Sequence, residues 1–303
     1  MRRGLAFAAA GAVAMGSSAP VLKMLAGSGL SAVNVIQGRM AIGAIALLLL
    51  AVATRRSLRI HRRHWWLLGL YGVFTLSLNQ VSYTFAITRL PVGITLLIEY
   101  LAPVLIALWI RFVRRTRLPV TLWVGIGTTL LGLALISQVW TSLSLDALGL
   151  LTAMVAAATL AGRFLLAEHG LRVHDPLVLT TWGACVGAVA LLPLAPFPFE
   201  RVDAKDWFLL TWIGVVGMAA AVLLSALGQR TISSTAASLV SCVEILVGAG
   251  LAAVLLGELL TPVQLVGSVV MLTGIVAAQV ALARASESRT RLPEAPELTP
   301  SRA

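Results

Sequence analysis

The chain has 303 residues, 59% of them hydrophobic and only 12% charged, and a net charge of +11. A soluble domain is about 45–50% apolar and about 25% charged, so a water-exposed globular fold is excluded, and the mean hydropathy of +0.94 agrees. Nor does the basic surplus indicate nucleic-acid binding, because the arginines cluster between apolar blocks rather than on one compact face.

Ten apolar blocks follow one another: Leu5–Leu25, Val33–Ala53, Trp65–Ile87, Val92–Phe112, Val120–Val139, Leu145–Ala167, Leu177–Ala195, Trp207–Leu227, Ile232–Leu256 and Val263–Ala283. Blocks of this length match a bilayer core about 30 Å thick. In lipid such a block must be helical, since only a helix satisfies its own backbone polar groups. The sequence therefore predicts an all-α membrane protein with ten transmembrane helices. The first block follows Met1-Arg2-Arg3 and shares features with a signal peptide. Pro20, directly after Ser17-Ser18-Ala19, opposes cleavage there, and the block reads as the first span. Residues 284–303 are polar and proline-bearing, without an apolar period, and read as a disordered cytoplasmic tail.

Alternate loops differ in charge. With the N-terminus inside, eighteen of the 23 basic residues fall on the inner side. Only Lys23, Arg89, Arg201 and Lys205 fall outside, and Arg39 lies within the second span. One missing helix would invert every later loop, so this bias supports ten spans with both termini cytoplasmic, in the cell membrane. Trp65, Trp66, Trp140 and Trp207 fall at block ends, as interfacial anchors do.

Charge inside a span costs about 2.5–3.5 kcal/mol on insertion scales and by default marks function. Arg39 either neutralises a carboxylate, holds a substrate carboxylate, or makes a structural contact. Asn79, Gln80, Ser82 and Tyr83 make the third span polar, with Asn79 and Tyr83 on one face; they line a cavity or bond across helices. Glu99 and Glu244 lie in the fourth and ninth spans. These spans are repeat partners, so both carboxylates are expected near the midplane, related by the repeat axis. They either bind a cationic group or a proton, or tie helices together. Tyr100, next to Glu99, joins this candidate set. Pro103 is expected to kink the fourth span and free carbonyls near Glu99. Arg163, about one turn inside the sixth span, is expected to snorkel to the interface. Ser238, Ser241 and Cys242 read as helix-packing residues, and Gly183-x-x-x-Gly187 permits close helix approach.

The two halves look alike. Gly125 and Gly132 recur as Gly267 and Gly274, at an offset of 142 residues. Five spans in each half make the second half inverted, an arrangement common among secondary transporters, with the substrate near the midplane. The division falls at 1–143 and 144–283.

Gly257-Glu258-Leu259-Leu260-Thr261, Gly267 and Leu272-Thr273-Gly274 resemble the end of an EamA domain, of the drug/metabolite transporter superfamily. The first half carries the related Ala86-Ile87-Thr88-Arg89-Leu90-Pro91-Val92-Gly93 and Leu101-Ala102-Pro103-Val104, and Arg39 matches a common EamA position. The likeness covers residues 5–283. Two departures stand out: Thr116 where the motif glutamate would fall, and Ile245 where Pro103 would repeat. With Glu99-Tyr100-Leu101-Ala102-Pro103, these resemble the threonine/homoserine exporter branch. The resemblance implies a secondary transporter of small metabolites, an exporter of amino acids or related compounds, open to proton coupling.

Two other classes compete. A membrane-embedded enzyme lacks a constellation to use: His61, His64, His169 and His174 all fall in loops, and Cys185 and Cys242 have no metal spacing. No cofactor, catalytic residue or metal ligand is expected, and no Walker-type run is present. A channel or scaffold is the closer alternative, although channels favour rings from symmetric subunits. The expected partners are a small-molecule substrate and the lipid bilayer, without nucleic acid; homodimer formation is left open.

Overall fold

A computed structural model describes residues 2–25, 28–60, 62–90, 92–138, 140, 146–257 and 261–290. His61, Pro91, Glu258, Leu259, Leu260 and the tail from residue 291 lie outside them. Among the described residues, nine helices are long and apolar enough to cross a membrane. The remaining span is helical from Trp65 to Ile87. Asn79, Gln80, Ser82 and Tyr83 lower its hydropathy without interrupting it. The fold is thus ten helices in two inverted sets of five.

Loop contacts sort the helix ends onto two faces. On the face that holds Arg2, Arg114 and Arg172 meet Glu168, and Arg56 meets Asp175. Trp182 donates to the Leu58 carbonyl there. On the opposite face Arg89 meets Asp146, Gln138 bonds Thr261, and Asn34 bonds the Pro196 carbonyl. Large apolar side chains such as Val52, Phe112, Val120 and Val254 point outward, which lipid tolerates and water does not.

The inverted repeat is visible in the irregularities of the helices. The third span widens to a π-helix over Leu70–Ser77, and the eighth does so over Val215–Ala220. The fourth span stops at Glu99 and resumes at Ala102 with Pro103 in its first turn. A proline removes one N–H and clashes with the carbonyl four residues earlier, here that of Glu99. The ninth span breaks at Cys242, between Ser234–Ser241 and Val243–Leu256, although Ile245 replaces the proline. There the Ser238, Ser241 and Cys242 side chains bond back to the Thr235 and Ser238 carbonyls. Such back-bonding competes with the helical ladder and bends it.

Gly257 ends the ninth span at φ +70°, a left-handed turn that suits glycine. Its repeat partner, Arg115, adopts φ +51°. Thr261 then caps the tenth span: its hydroxyl accepts from the Gln264 amide while Gln264 Oε1 accepts from the Thr261 N–H, a reciprocal capping box. The tenth helix runs from Pro262 to Thr290, so the polar tail expected from Arg284 begins as helix. Once nucleated, a helix extends at little cost, and the first proline downstream is Pro293.

Glycines set the tight crossings. The fifth and tenth spans, Val120–Ser137 and Pro262–Thr290, meet where Gly132 faces Gly267 and Gly125 faces Gly274. Gly183 and Gly187 of the seventh span do approach the third, at Tyr71, Gly72 and Ser77.

Candidate functional site

The two π-turns and two helix breaks loosen backbone hydrogen bonding near mid-membrane, and the buried polar side chains gather around them. Asn79, two residues past the first π-turn, is buried. Its amide nitrogen lies 3.1 Å from Glu99 Oε1, 3.0 Å from the Ala156 carbonyl and 3.3 Å from Thr159 Oγ1. Two N–H groups thus serve three acceptors. Glu99, also buried, is the last helical residue before the fourth-span break. Tyr100, in the break itself, donates from its hydroxyl to Glu244 Oε2 at 2.8 Å. This bond joins the fourth and ninth spans. Tyr83 lies on the same side of the third span and within electrostatic range of Glu99, Glu244 and Arg39.

Arg39 is buried on the second span. Its Nη2 donates to the Gly217 carbonyl at 2.8 Å, inside the second π-turn, and lies 3.2 Å from Met15 Sδ. Its Nε has no hydrogen-bond partner. Among the described residues, no ion pair joins Arg39 to either carboxylate; Glu244 and Glu99 act on it only at longer range.

The placement of the two carboxylates departs from the sequence expectation. Glu99 precedes its break, whereas Glu244 follows its own. The repeat axis exchanges the two faces and carries Glu99 onto Ser241 rather than Glu244. The fourth span runs toward the terminal face and the ninth away from it. Both carboxylates therefore lie on the side of the breaks facing away from the termini, and they are not symmetry mates.

Glu244 forms the deep end of a cavity on the terminal side. Its walls are Ala8, Gly11, Ala12 and Met15 of the first span; Tyr71 of the third; Arg163 of the sixth; Ala221, Val222, Ser225 and Gln229 of the eighth; and Ala237 and Ser241 of the ninth. The free volume is about 20 Å³, space for about one water molecule. Arg163, expected at the interface, is half-buried and lines this cavity. It stays in the bundle, beside the Phe164 ring and within range of Glu244, Glu99, Arg39 and Tyr71. Gln229 joins the site from the eighth span, and its Oε1 is buried without a partner. Tyr71 and Ser225 carried no sequence signal above their apolar surroundings.

A second cavity of about 310 Å³ lies between the second, third and seventh spans. Its walls are apolar apart from Thr84 and Thr88, and it suits an acyl chain better than a polar solute.

Two segments, residues 2–138 and 147–278, each match the EamA-like transporter family. A transporter of Archaeoglobus fulgidus, described as uncharacterized, is 30% identical over 70% of this chain and 75% of its own length. The uncharacterized transporter YwfM of Bacillus subtilis is 25% identical over 78% of this chain and 80% of its own. The uncharacterized inner membrane transporter YicL of Salmonella typhimurium is 24% identical over 65% and 67%. A solved crystal structure superposes with a TM-score of 0.76 over 93% of this chain and 99% of that one, at 18% identity. That likeness concerns the fold. Both halves of the chain and its full set of spans are accounted for, and the protein belongs to the EamA-like transporter family: it is a multi-pass membrane transporter.

Proposed function

We propose that the protein is a secondary transporter that exports amino acids or closely related small metabolites across the cytoplasmic membrane in exchange for protons. The observation that carries this reading is the cavity beside the ninth-span break, which places the Arg163 and Glu244 side chains on the walls of one small space. A zwitterion offers a carboxylate to one and an ammonium group to the other. Glu99, Glu244, Arg39, Asn79, Tyr83 and Tyr100 form the substrate- and proton-binding set, with the break before Pro103 as the flexible joint. The five-helix units, 1–143 and 144–283, rock about these joints, and both termini face the cytoplasm. Outward transport follows from the exporter resemblance.

A channel requires a continuous watery path. A narrow cavity ending at Glu244 fits alternating access better, because the site is closed at one end while near the other.

Reconstituted protein tests the reading. Proteoliposomes with an imposed pH gradient should accumulate radiolabelled amino acids faster than vesicles without one, and Glu99→Gln should abolish the difference. Uptake that ignores the gradient and is unchanged in Glu99→Gln would remove proton coupling and Glu99 from the mechanism.

A further inference from the structure

Six polar side chains line the cavity: Tyr71, Arg163, Ser225, Gln229, Ser241 and Glu244. Most have partners. Glu244 accepts from Tyr100, Ser241 donates to the Ser238 carbonyl, and Gln229 Nε2 lies 3.5 Å from Ser225 Oγ. Two groups stand out. Among the described residues Arg163 makes no hydrogen bond or ion pair, and its guanidinium carbon lies 5.1 Å from the centre of the Phe164 ring. Gln229 is 7% exposed, yet its Oε1 has no partner. A buried acceptor left unmade is costly and calls for an explanation such as a missing ligand.

Glu244 is already half-committed to Tyr100, with its second oxygen free to accept. Glu99, by contrast, does not line the cavity; it lies among Asn79, Ala156 and Thr159.

We infer that the cavity is an α-amino-acid subsite in which Arg163 holds the substrate carboxylate while Glu244 and Gln229 Oε1 hold its ammonium group. Glu99 takes no part in this contact and is left for the proton. The inference rests on the amino-acid reading above and adds the division of labour between the two carboxylates. Guanidinium and carboxylate pair in a two-pronged geometry that an ammonium group cannot copy. An ammonium group has three donors, enough for Glu244 and Gln229 together. The remaining wall is apolar: mostly alanine and glycine of the first, eighth and ninth spans, with Met15 and Val222 as its larger members. The free volume of about 20 Å³ holds about one water, so the whole amino acid enters only with outward movement of the first span.

The test is the thermal stability of the full chain in detergent with each common L-amino acid in turn. At least one should raise Tm. Its amide, which lacks the carboxylate charge, and its deaminated acid, which lacks the ammonium group, should not. Arg163→Gln and Glu244→Gln should each lose the shift, and Arg163→Lys should retain part of it, which guards against simple misfolding of the glutamine variant. Glu99→Gln should keep the ligand shift. If no amino acid stabilises the wild type, the amino-acid reading falls and this inference with it. If an amino acid stabilises but the amide does so equally, or Arg163→Gln keeps the full shift, the substrate reading stands and the assignment of Arg163 is overturned. Loss of the shift in Glu99→Gln would overturn the division of labour.

Discussion

Gly132→Ala is the sharpest test of the packing. A Cβ on Gly132 would collide with the Met271 nitrogen and lie 2.6 Å from its Cα and 2.7 Å from the Gly267 carbonyl oxygen. Non-bonded carbons settle at about 3.5–4.0 Å, so the fifth and tenth spans must part by about 1 Å, and such a gap forfeits a quarter to a half of each contact's attraction. The obstacle is backbone, which cannot rotate aside as a side chain can. Overpacking of this kind costs about 1–3 kcal/mol, and the upper end applies here. In a bilayer the loss matters, because helix association rests on such contacts rather than on exclusion of water. The expected result is a fall in Tm on the order of 5 °C, read by thermal unfolding in mild detergent. Gly274→Ala should behave alike, since its Cβ would lie 2.4 Å from the Thr129 nitrogen. The double variant should cost less than the sum, because helices already parted admit the second methyl. Gly127→Ala is the control: nothing lies within 4 Å of its Cβ, and it should leave Tm unchanged or slightly raised. If Gly132→Ala melts with Gly127→Ala, the close crossing of these spans is wrong.

Two further predictions concern the terminal face. Arg115 holds φ +51° where its repeat partner is Gly257; a non-glycine residue in the left-handed region costs about 1–2 kcal/mol, so Arg115→Gly should raise Tm modestly, and a fall would show that the side chain holds the turn. Burial, and then the neighbouring His64 ring at 4.9 Å, depress the pKa of His174 below its ordinary value. Its charged form is therefore disfavoured in the folded state: this stability is complete above about pH 6.5 and declines as pH falls through that value toward the depressed one. His174→Gln should flatten that part of the Tm-versus-pH curve, and an identical pH dependence in the variant would exclude His174 as a contributor.

Much of the fold was legible because hydrophobic length and loop charge are strong, redundant signals. The third span was found from its apolar ends even though Asn79, Gln80, Ser82 and Tyr83 dilute it. The glycine pairs of the fifth and tenth spans were legible as a repeat, although only the structure reveals that they face one another. The polar set was found for a different reason: charge inside a span is rare enough to be noticed singly, which picked out Arg39, Glu99 and Glu244. What could not be read was which way each side chain turns. Arg163 was placed at the interface because one turn of helix is a short climb to water. In the structure it lines the cavity, within electrostatic range of two carboxylates whose positions follow from the tertiary packing. Gln229 and Tyr71 were missed because a single amide or phenol near a helix end has no contrast with its surroundings.

The repeat and the site obey different symmetries. Much that shapes the backbone recurs: the π-turns at Leu70–Ser77 and Val215–Ala220, the breaks at Tyr100–Leu101 and Cys242, the left-handed turns at Arg115 and Gly257. The charges do not. At the same offset Glu99 meets Ser241, Arg39 meets Thr181, Glu244 meets Ala102 and Arg163 meets Val21. The contrast has a physical basis. A transporter that alternates between two faces needs halves of nearly equal packing energy, so that neither conformation is a trap; matched glycines and matched breaks provide this. A substrate site need occur only once. Duplicating it would add buried charges at about 2.5–3.5 kcal/mol each, with no second ligand to offset them. Placing both carboxylates on one side of the breaks also makes the two conformations chemically unequal. The Tyr100–Glu244 and Asn79–Glu99 bonds hold the third, fourth and ninth spans together on the side away from the termini. Movement that opens that side must loosen these bonds, and protonation of either carboxylate weakens the bond it accepts. On the proton-coupled reading proposed above, a proton arriving from the far side would favour the conformation that admits it, and an otherwise symmetric scaffold would acquire a direction.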